Sequence, residues 1–173
     1  YGTTTGQIGN FANEILQKQN IEISAYFSVK MPDTWTPTFN LSNKEHVRKI
    51  NERAELQIDS VIDKIINRAI GDYMQRKVPM PIAKWFYNME YDTMRKTSHF
   101  HVENTCVGCG LCAQKCPISA IDITNKQPVW NQEQCVMCLS CLHHCPKFAI
   151  QYGKRTKKHG QYVHFPVSVK ENR

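Results

Sequence analysis

The first hundred residues contain no cysteine, and all eight cysteines of this 173-residue chain lie between 106 and 145. Such clustering excludes a disulfide framework spread along the chain, and in a sequence without a secretory leader it points to metal ligation. No apolar run approaches the roughly 18 residues that a bilayer span requires, and the start lacks the basic-then-apolar order of a signal peptide. A cytoplasmic protein is therefore expected. An initiator Met is also missing: the chain opens YGTTTGQIGN, which reads as the start of a fragment of something longer. Acidic residues are in deficit, 15 against 22 Lys and Arg, for a net charge of +7, and this balance favours anionic partners at short, salt-screened range. With 41% hydrophobic residues, the chain suits one ordinary domain or two small ones.

The cysteines form an internal repeat. Cys106, Cys109, Cys112 and Cys116 stand in CVGCGLCAQKCP, and Cys135, Cys138, Cys141 and Cys145 stand in CVMCLSCLHHCP. Both read C-x2-C-x2-C-x3-C-P. The match continues beyond the cysteines, with Pro117, Ala120 and Ile121 corresponding to Pro146, Ala149 and Ile150. Three thiolates at this spacing converge on one iron–sulfur cubane when the backbone coils tightly around it, which Gly108 and Gly110 ease in the first copy. The fourth cysteine, followed by Pro, is carried away from its own triplet and in two-cluster proteins ligates the other cluster. Cys106, Cys109, Cys112 and Cys145 are thus expected on one 4Fe-4S cluster, and Cys135, Cys138, Cys141 and Cys116 on a second. Two alternatives stand beside this: structural zinc, whose sites use paired C-x2-C knuckles across a longer loop, and clusters that act only as pins for a small domain. His143 and His144 are expected to be surface or helix residues rather than ligands, and Met137 to pack.

Residues 100 to 152 resemble a bacterial-type two-cluster ferredoxin. The resemblance implies short strands around the two repeats, with Phe100 to Val102, Ile121 to Ile123, Pro128 to Trp130 and Phe148 to Tyr152 as candidates. Asn125-Lys126-Gln127 is expected to form the turn between the middle two. Ile118, Ile121, Trp130, Val136, Leu142 and Ile150 are expected to cover the clusters and limit water, which with hydrogen bonds to sulfur sets their potential.

Before the cysteines, Ile8, Phe11, Ala12, Ile15 and Leu16 repeat at helical spacing within Gln7 to Gln17, with Thr5 a candidate cap. Ile21 to Val29 alternates at strand period. MPDTWTPTFN, 31 to 40, reads as a connection. Ser42 and Glu45 form a capping-box pattern ahead of an amphipathic helix reaching toward Gly71, roughly 40 Å long. Val78-Pro-Met-Pro81 breaks the chain, and Ile82 to Met94, with Trp85, Phe86, Tyr87 and Tyr91, predicts an aromatic-faced helix. This order resembles the flavodoxin and ferredoxin fusions of anaerobic bacteria and archaea, with YGTTTG and FSVKMPD as the carrying residues. The resemblance implies an α+β chain: the C-terminal part of a flavodoxin-like α/β domain with a long helix over 1–75, a linker with a short helix over 76–99, a two-cluster ferredoxin domain over 100–152 and a basic tail over 153–173. FMN is expected only in a longer parent protein, where Tyr1, Gly2, Thr3 and Thr4 would border it.

Lys154, Arg155, Lys157 and Lys158 concentrate the positive charge, as a solvated tail or a docking site for an acidic partner. Tyr162 and Phe165 are expected to pack that tail back onto the protein. Two clusters would lower the net charge to roughly +3. Nothing in the sequence reads as a substrate-activating acid, base or nucleophile, so a carrier of single electrons between redox proteins is expected rather than an enzyme. A flavin-dependent oxidoreductase is the enzymatic option for the full-length protein. The alternative from another class is a redox- or oxygen-sensing regulator whose basic tail binds nucleic acid or an acidic partner.

Overall fold

The computed structural model describes residues 1–75 and 77–163. Among these, 1–33 and 43–86 form one compact unit, and 34–42 with 87–163 form another.

In the first unit the chain runs through α1 (Ile8–Gln17), β1 (Ala25–Tyr26), α2 (Lys44–Ile66) and β2 (Gly71–Asp72) before entering α3 (Met80–Met94). The alternation over Ile21 to Val29 predicts a longer strand than is found. Only Ala25–Tyr26 is paired, in parallel with Gly71–Asp72, because a pleated apolar face becomes a strand only where a neighbour satisfies its backbone groups. Helix α2 starts one residue later than the Ser42 pattern predicts: Asn43 is the cap, its side chain accepting from His46 N at 2.9 Å. Ser42 N is itself turned to Asn40 Oδ1 at 2.8 Å, which leaves Ser42 outside the first turn. The helix ends at Ile66 because Arg68 adopts φ +51°, short of Gly71. Val47, Asn51 and Ala54 are its buried stripe.

YGTTTG is tied to other segments of its own unit. Thr3 N and Oγ1 both donate to Asp33 Oδ2, at 3.1 and 3.0 Å. Thr5 Oγ1 donates to Gln75 O at 2.8 Å and so does not cap α1, whose cap position is Gln7. No helix among the described residues is long and apolar enough to cross a membrane.

The second unit contains β3 (Phe100–Val102), α4 (Leu111–Gln114), β4 (Ile121–Thr124), β5 (Gln127–Trp130), α5 (Ser140–His143), β6 (Ile150–Tyr152) and α6 (Thr156–His159). Strand β3 pairs antiparallel with β6, Phe100 opposite Tyr152, and β4 pairs antiparallel with β5, Ile121 opposite Trp130. Four short strands fall where the sequence places them, with β4 and β5 each longer by one residue and β6 shorter by two. Gln127 opens β5 opposite Thr124, so the hairpin turn is the two residues Asn125 and Lys126, both with positive φ, as the tight turns matched to strand twist require. Strand β6 begins at Ile150 because Phe148 is held at φ +47°.

Leu142, Ala149, Ile150, Ala120, Leu139 and Ile121 are all buried. Phe100 stacks on Trp130 at 4.9 Å and meets the Tyr152 ring edge-on at 5.0 Å. The stretch that reads as a mere connection belongs to this unit. Trp35 packs on the same core and lies 6.2 Å from the Tyr152 ring, while Thr36 and Leu41 are buried. His143 Nε2 lies 2.9 Å from Thr34 O, His159 Nδ1 lies 2.7 Å from Thr36 O, and Leu41 N donates to His159 O at 2.7 Å. Proline and turn formers exclude regular structure there, but they do not exclude a strap fixed by side chains.

The start of the basic segment is equally built in. Thr156 is buried, and its hydroxyl donates to Gln151 Oε1 at 2.7 Å and accepts from Tyr152 N at 3.0 Å. Lys157 pairs with Glu103 at 3.0 Å. Tyr162 N donates to His143 Nδ1 at 3.1 Å; Phe165 lies outside the described residues.

Candidate metal centre

The two cysteine motifs repeat in backbone conformation as well as in sequence. Positive φ recurs at positions 29 apart: Gly108 (+68°) with Met137 (+50°), Gly110 (+75°) with Leu139 (+54°), and Ser119 (+51°) with Phe148 (+47°). Left-handed residues bend the chain around its triplet, and side-chain-bearing residues adopt this conformation at a cost of roughly 1 to 2 kcal/mol each. In the first copy glycine avoids that cost. At Gly108 a second constraint acts, since a Cβ there would lie 2.7 Å from Lys126 O, whereas one at Gly110 meets nothing closer than Ile123 Cγ1 at 4.0 Å. Gly108→Ala is therefore expected to cost clearly more than Gly110→Ala, which carries only the conformational cost of about 1 kcal/mol. Guanidinium midpoints of the two variants under anaerobic conditions check this, and equal losses would contradict it.

Each motif then enters a one-turn helix, α4 or α5, which buries Cys112 or Cys141. The fourth cysteine of each copy is held in the same way. Ala120 N donates to Cys116 Sγ and Ala149 N donates to Cys145 Sγ, both at 3.2 Å. Both alanines are buried. N–H groups aimed at sulfur favour the thiolate over the thiol.

A small cavity is lined by Cys106, Cys109, Cys112 and, from the other copy, Cys145. Leu111, Ile123, Pro128, Pro146 and Ile150 supply apolar wall. The second group is seen through its charges. Burial pushes the Cys135 thiol up, and like charge on Cys138 and on Cys116, the fourth cysteine of the other copy, pushes the same way. Burial also pushes Cys141 up to about 12, followed by the charge of Cys138 and smaller effects of Cys135 and Cys112. Burial raises Cys112 too. Without metal these three sulfurs stay protonated at neutral pH, and loading them releases protons.

Among the described residues no three His, Cys, Asp or Glu side chains gather closely enough for one metal ion, whose thiolates would lie within about 4 Å of each other. Four thiols around a cavity with apolar walls fit a cluster as a donor set. Cys109 and Cys138, the second cysteine of each copy, are exposed. Of the six residues expected to cover the metal, Val136 is an exception at 51% exposure, while Ile121, Leu142 and Ile150 are buried and Ile118 and Trp130 pack against the core. Met137 also packs there, its sulfur 3.6 Å from Cys135 Sγ. His143 is half-buried between Thr34 O and Tyr162 N, and burial holds its pKa down.

Two contributors carry no signal in the cysteine spacing. Lys147, next to Pro146, lines the first cavity. Arg95, forty residues before the second motif, forms a reciprocal pair with its first cysteine: Cys135 N donates to Arg95 O at 2.9 Å and Arg95 Nε donates to Cys135 O at 3.0 Å.

Residues 99–146 match the family described as a 4Fe-4S dicluster domain. The chain thus carries a ferredoxin-type iron–sulfur electron-transfer domain within a mixed fold of helices and small sheets. It is similar to an uncharacterized polyferredoxin-like protein of Methanocaldococcus jannaschii, 36% identical over 62 residues, which is 28% of this chain and 37% of the relative. A further uncharacterized protein of that organism is 31% identical over 85 residues, 47% of this chain and 34% of its own. A component of an ion-translocating oxidoreductase complex from Methanosarcina acetivorans is 39% identical over 46 residues, 27% of this chain and 17% of its own. The chain spans about a third of the first two of these relatives and about a sixth of the third. No solved structure matches it.

Proposed function

We propose that the chain holds two 4Fe-4S clusters, one on Cys106, Cys109, Cys112 and Cys145, the other on Cys135, Cys138, Cys141 and Cys116, and passes single electrons between redox proteins. The observation that carries this is the presence of Cys145 in the cavity of the first triplet, with the like-charge effect of Cys116 on Cys135 as its counterpart. When bound, each cluster supplies a one-electron couple. The protein's part is to fix and shield the sulfurs: Ala120 N and Ala149 N stabilise thiolate charge, and the apolar walls restrict water. The effect of Cys112 on Cys141 supports two sites close enough to exchange an electron within one small core.

The acceptor and donor are further proteins, with a multi-subunit redox complex as the proposed setting, supported by the similarity to the M. acetivorans component. A flavodoxin-like origin of the first unit, with FMN in a longer parent protein, is the finer part of the proposal. The loop, helix and parallel strand pair in that unit support it. Anaerobically reconstituted protein is expected to take up about two electrons per chain from dithionite, with bleaching of its visible absorption, and to return them to an added oxidant. Protein that contains iron and sulfide but cannot be reduced would overturn the electron-carrier role.

A further inference from the structure

The two copies match in backbone, in cysteines and in the N–H groups on their fourth sulfurs, so a charge that breaks this symmetry marks a functional difference between the sites. We propose that Arg95 is a positioning residue that raises the reduction potential of the cluster held by Cys135, Cys138, Cys141 and Cys116, leaving the other cluster's potential essentially unchanged. This rests on the two-cluster assignment above.

Three observations fix the guanidinium. Its Nε donates to Cys135 O at 3.0 Å. The Arg95 backbone carbonyl accepts from Cys135 N at 2.9 Å, and the neighbouring residues continue the pairing as an antiparallel bridge between Lys96 and Gln134. On its other side the guanidinium lies over the Tyr91 ring, 5.0 Å from the centroid, one turn back along α3. A cation held by a hydrogen bond and an aromatic face stays beside its target. The equivalent cysteine of the first copy, Cys106, also donates its N–H to an upstream carbonyl, at 3.1 Å, but that carbonyl belongs to Glu103, whose side chain is an anion paired with Lys157. Lys147 is the cation at the first cavity, and it is exposed. Water and salt screen such a charge far more than one pinned against the backbone of a ligand.

A reduced cluster carries one more negative charge than an oxidised one, so a fixed cation favours the reduced form and removing it lowers the potential. The test is a potentiometric titration of anaerobic holoprotein, followed by low-temperature EPR, on the wild type, Arg95→Gln, Arg95→Lys and Tyr91→Leu. Gln retains a donor toward Cys135 O without the charge, and Lys retains the charge without the planar fork. In Arg95→Gln one of the two reduction waves is expected to move to lower potential, shifting the electron's distribution between clusters by about threefold to tenfold, where tenfold is 59 mV for a one-electron couple. Arg95→Lys is expected to shift less, and Tyr91→Leu to shift the same wave in the same direction. Unmoved waves, or two waves moving together, in variants with wild-type iron content would overturn the role of Arg95 alone. A wild type with fewer than two waves would overturn it together with the two-cluster assignment.

Discussion

Cys145→Ala is expected to strip iron from the cavity of Cys106, Cys109 and Cys112, not from the triplet that precedes it in sequence. Iron per chain should fall by about half, from about eight to about four. Adding a second substitution tells whose cluster was lost. If Cys145 and Cys109 serve one cluster, Cys145→Ala with Cys109→Ala loses no more iron than Cys145→Ala alone. Cys145→Ala with Cys138→Ala removes nearly all of it. Two residues acting as one unit are non-additive and residues in separate units add, so the pattern reports connectivity even if each variant is somewhat destabilised. The reverse pattern, additivity with Cys109 and none with Cys138, would mean that each motif keeps its own fourth sulfur. The reason for expecting the crossed arrangement is geometric. Ala149 N holds Cys145 Sγ at 3.2 Å, and that residue lines the opposite cavity with Pro146 and Lys147.

The second large effect lies outside the motif. Trp35→Ala is expected to destabilise the second unit by about 3 kcal/mol, the low end for removing a large aromatic side chain from a packed site. For a unit of this size the melting temperature should drop by roughly 12 to 24 °C. The Trp35 ring packs on the core that contains Phe100, Leu142 and Tyr152, and the residues beside it are clamped by His143 and His159. Trp35→Phe should recover most of the loss. Circular dichroism of anaerobic holoprotein during heating provides the measurement, and a melting temperature unchanged in Trp35→Ala would reduce 34–42 to a passive connection.

How far the sequence discloses this molecule depends on whether the information is local. The cysteine spacing and the prolines after Cys116 and Cys145 are local patterns, the strands β3 to β6 follow from the resemblance that those patterns carry, and each has its counterpart in the fold. Gly108 and Gly110 also announce left-handed backbone, but Met137 and Leu139 do not. Their positive φ is set by the repeat and the core around Leu139, against the preference of the residues themselves. The strap 34–42 is hidden for a different reason: its partners His143, Tyr152 and His159 lie more than a hundred residues away, and composition reports only that a segment is irregular. Arg95 escapes notice likewise, since a lone Arg at the end of a helix has no spacing relation to Cys135. The strand expected over Ile21 to Val29 shrinks to Ala25–Tyr26 because alternation predicts a buried face but not a neighbour to pair with.

The central claim is a pair of iron–sulfur clusters close together in one small core. Low-temperature EPR of anaerobically purified, dithionite-reduced protein tests it most directly. The account predicts a complex spectrum from two magnetically interacting reduced 4Fe-4S clusters, simplifying to one isolated cluster in Cys145→Ala. A wild-type spectrum from a single isolated cluster, or a protein whose bound metal is zinc, would contradict it.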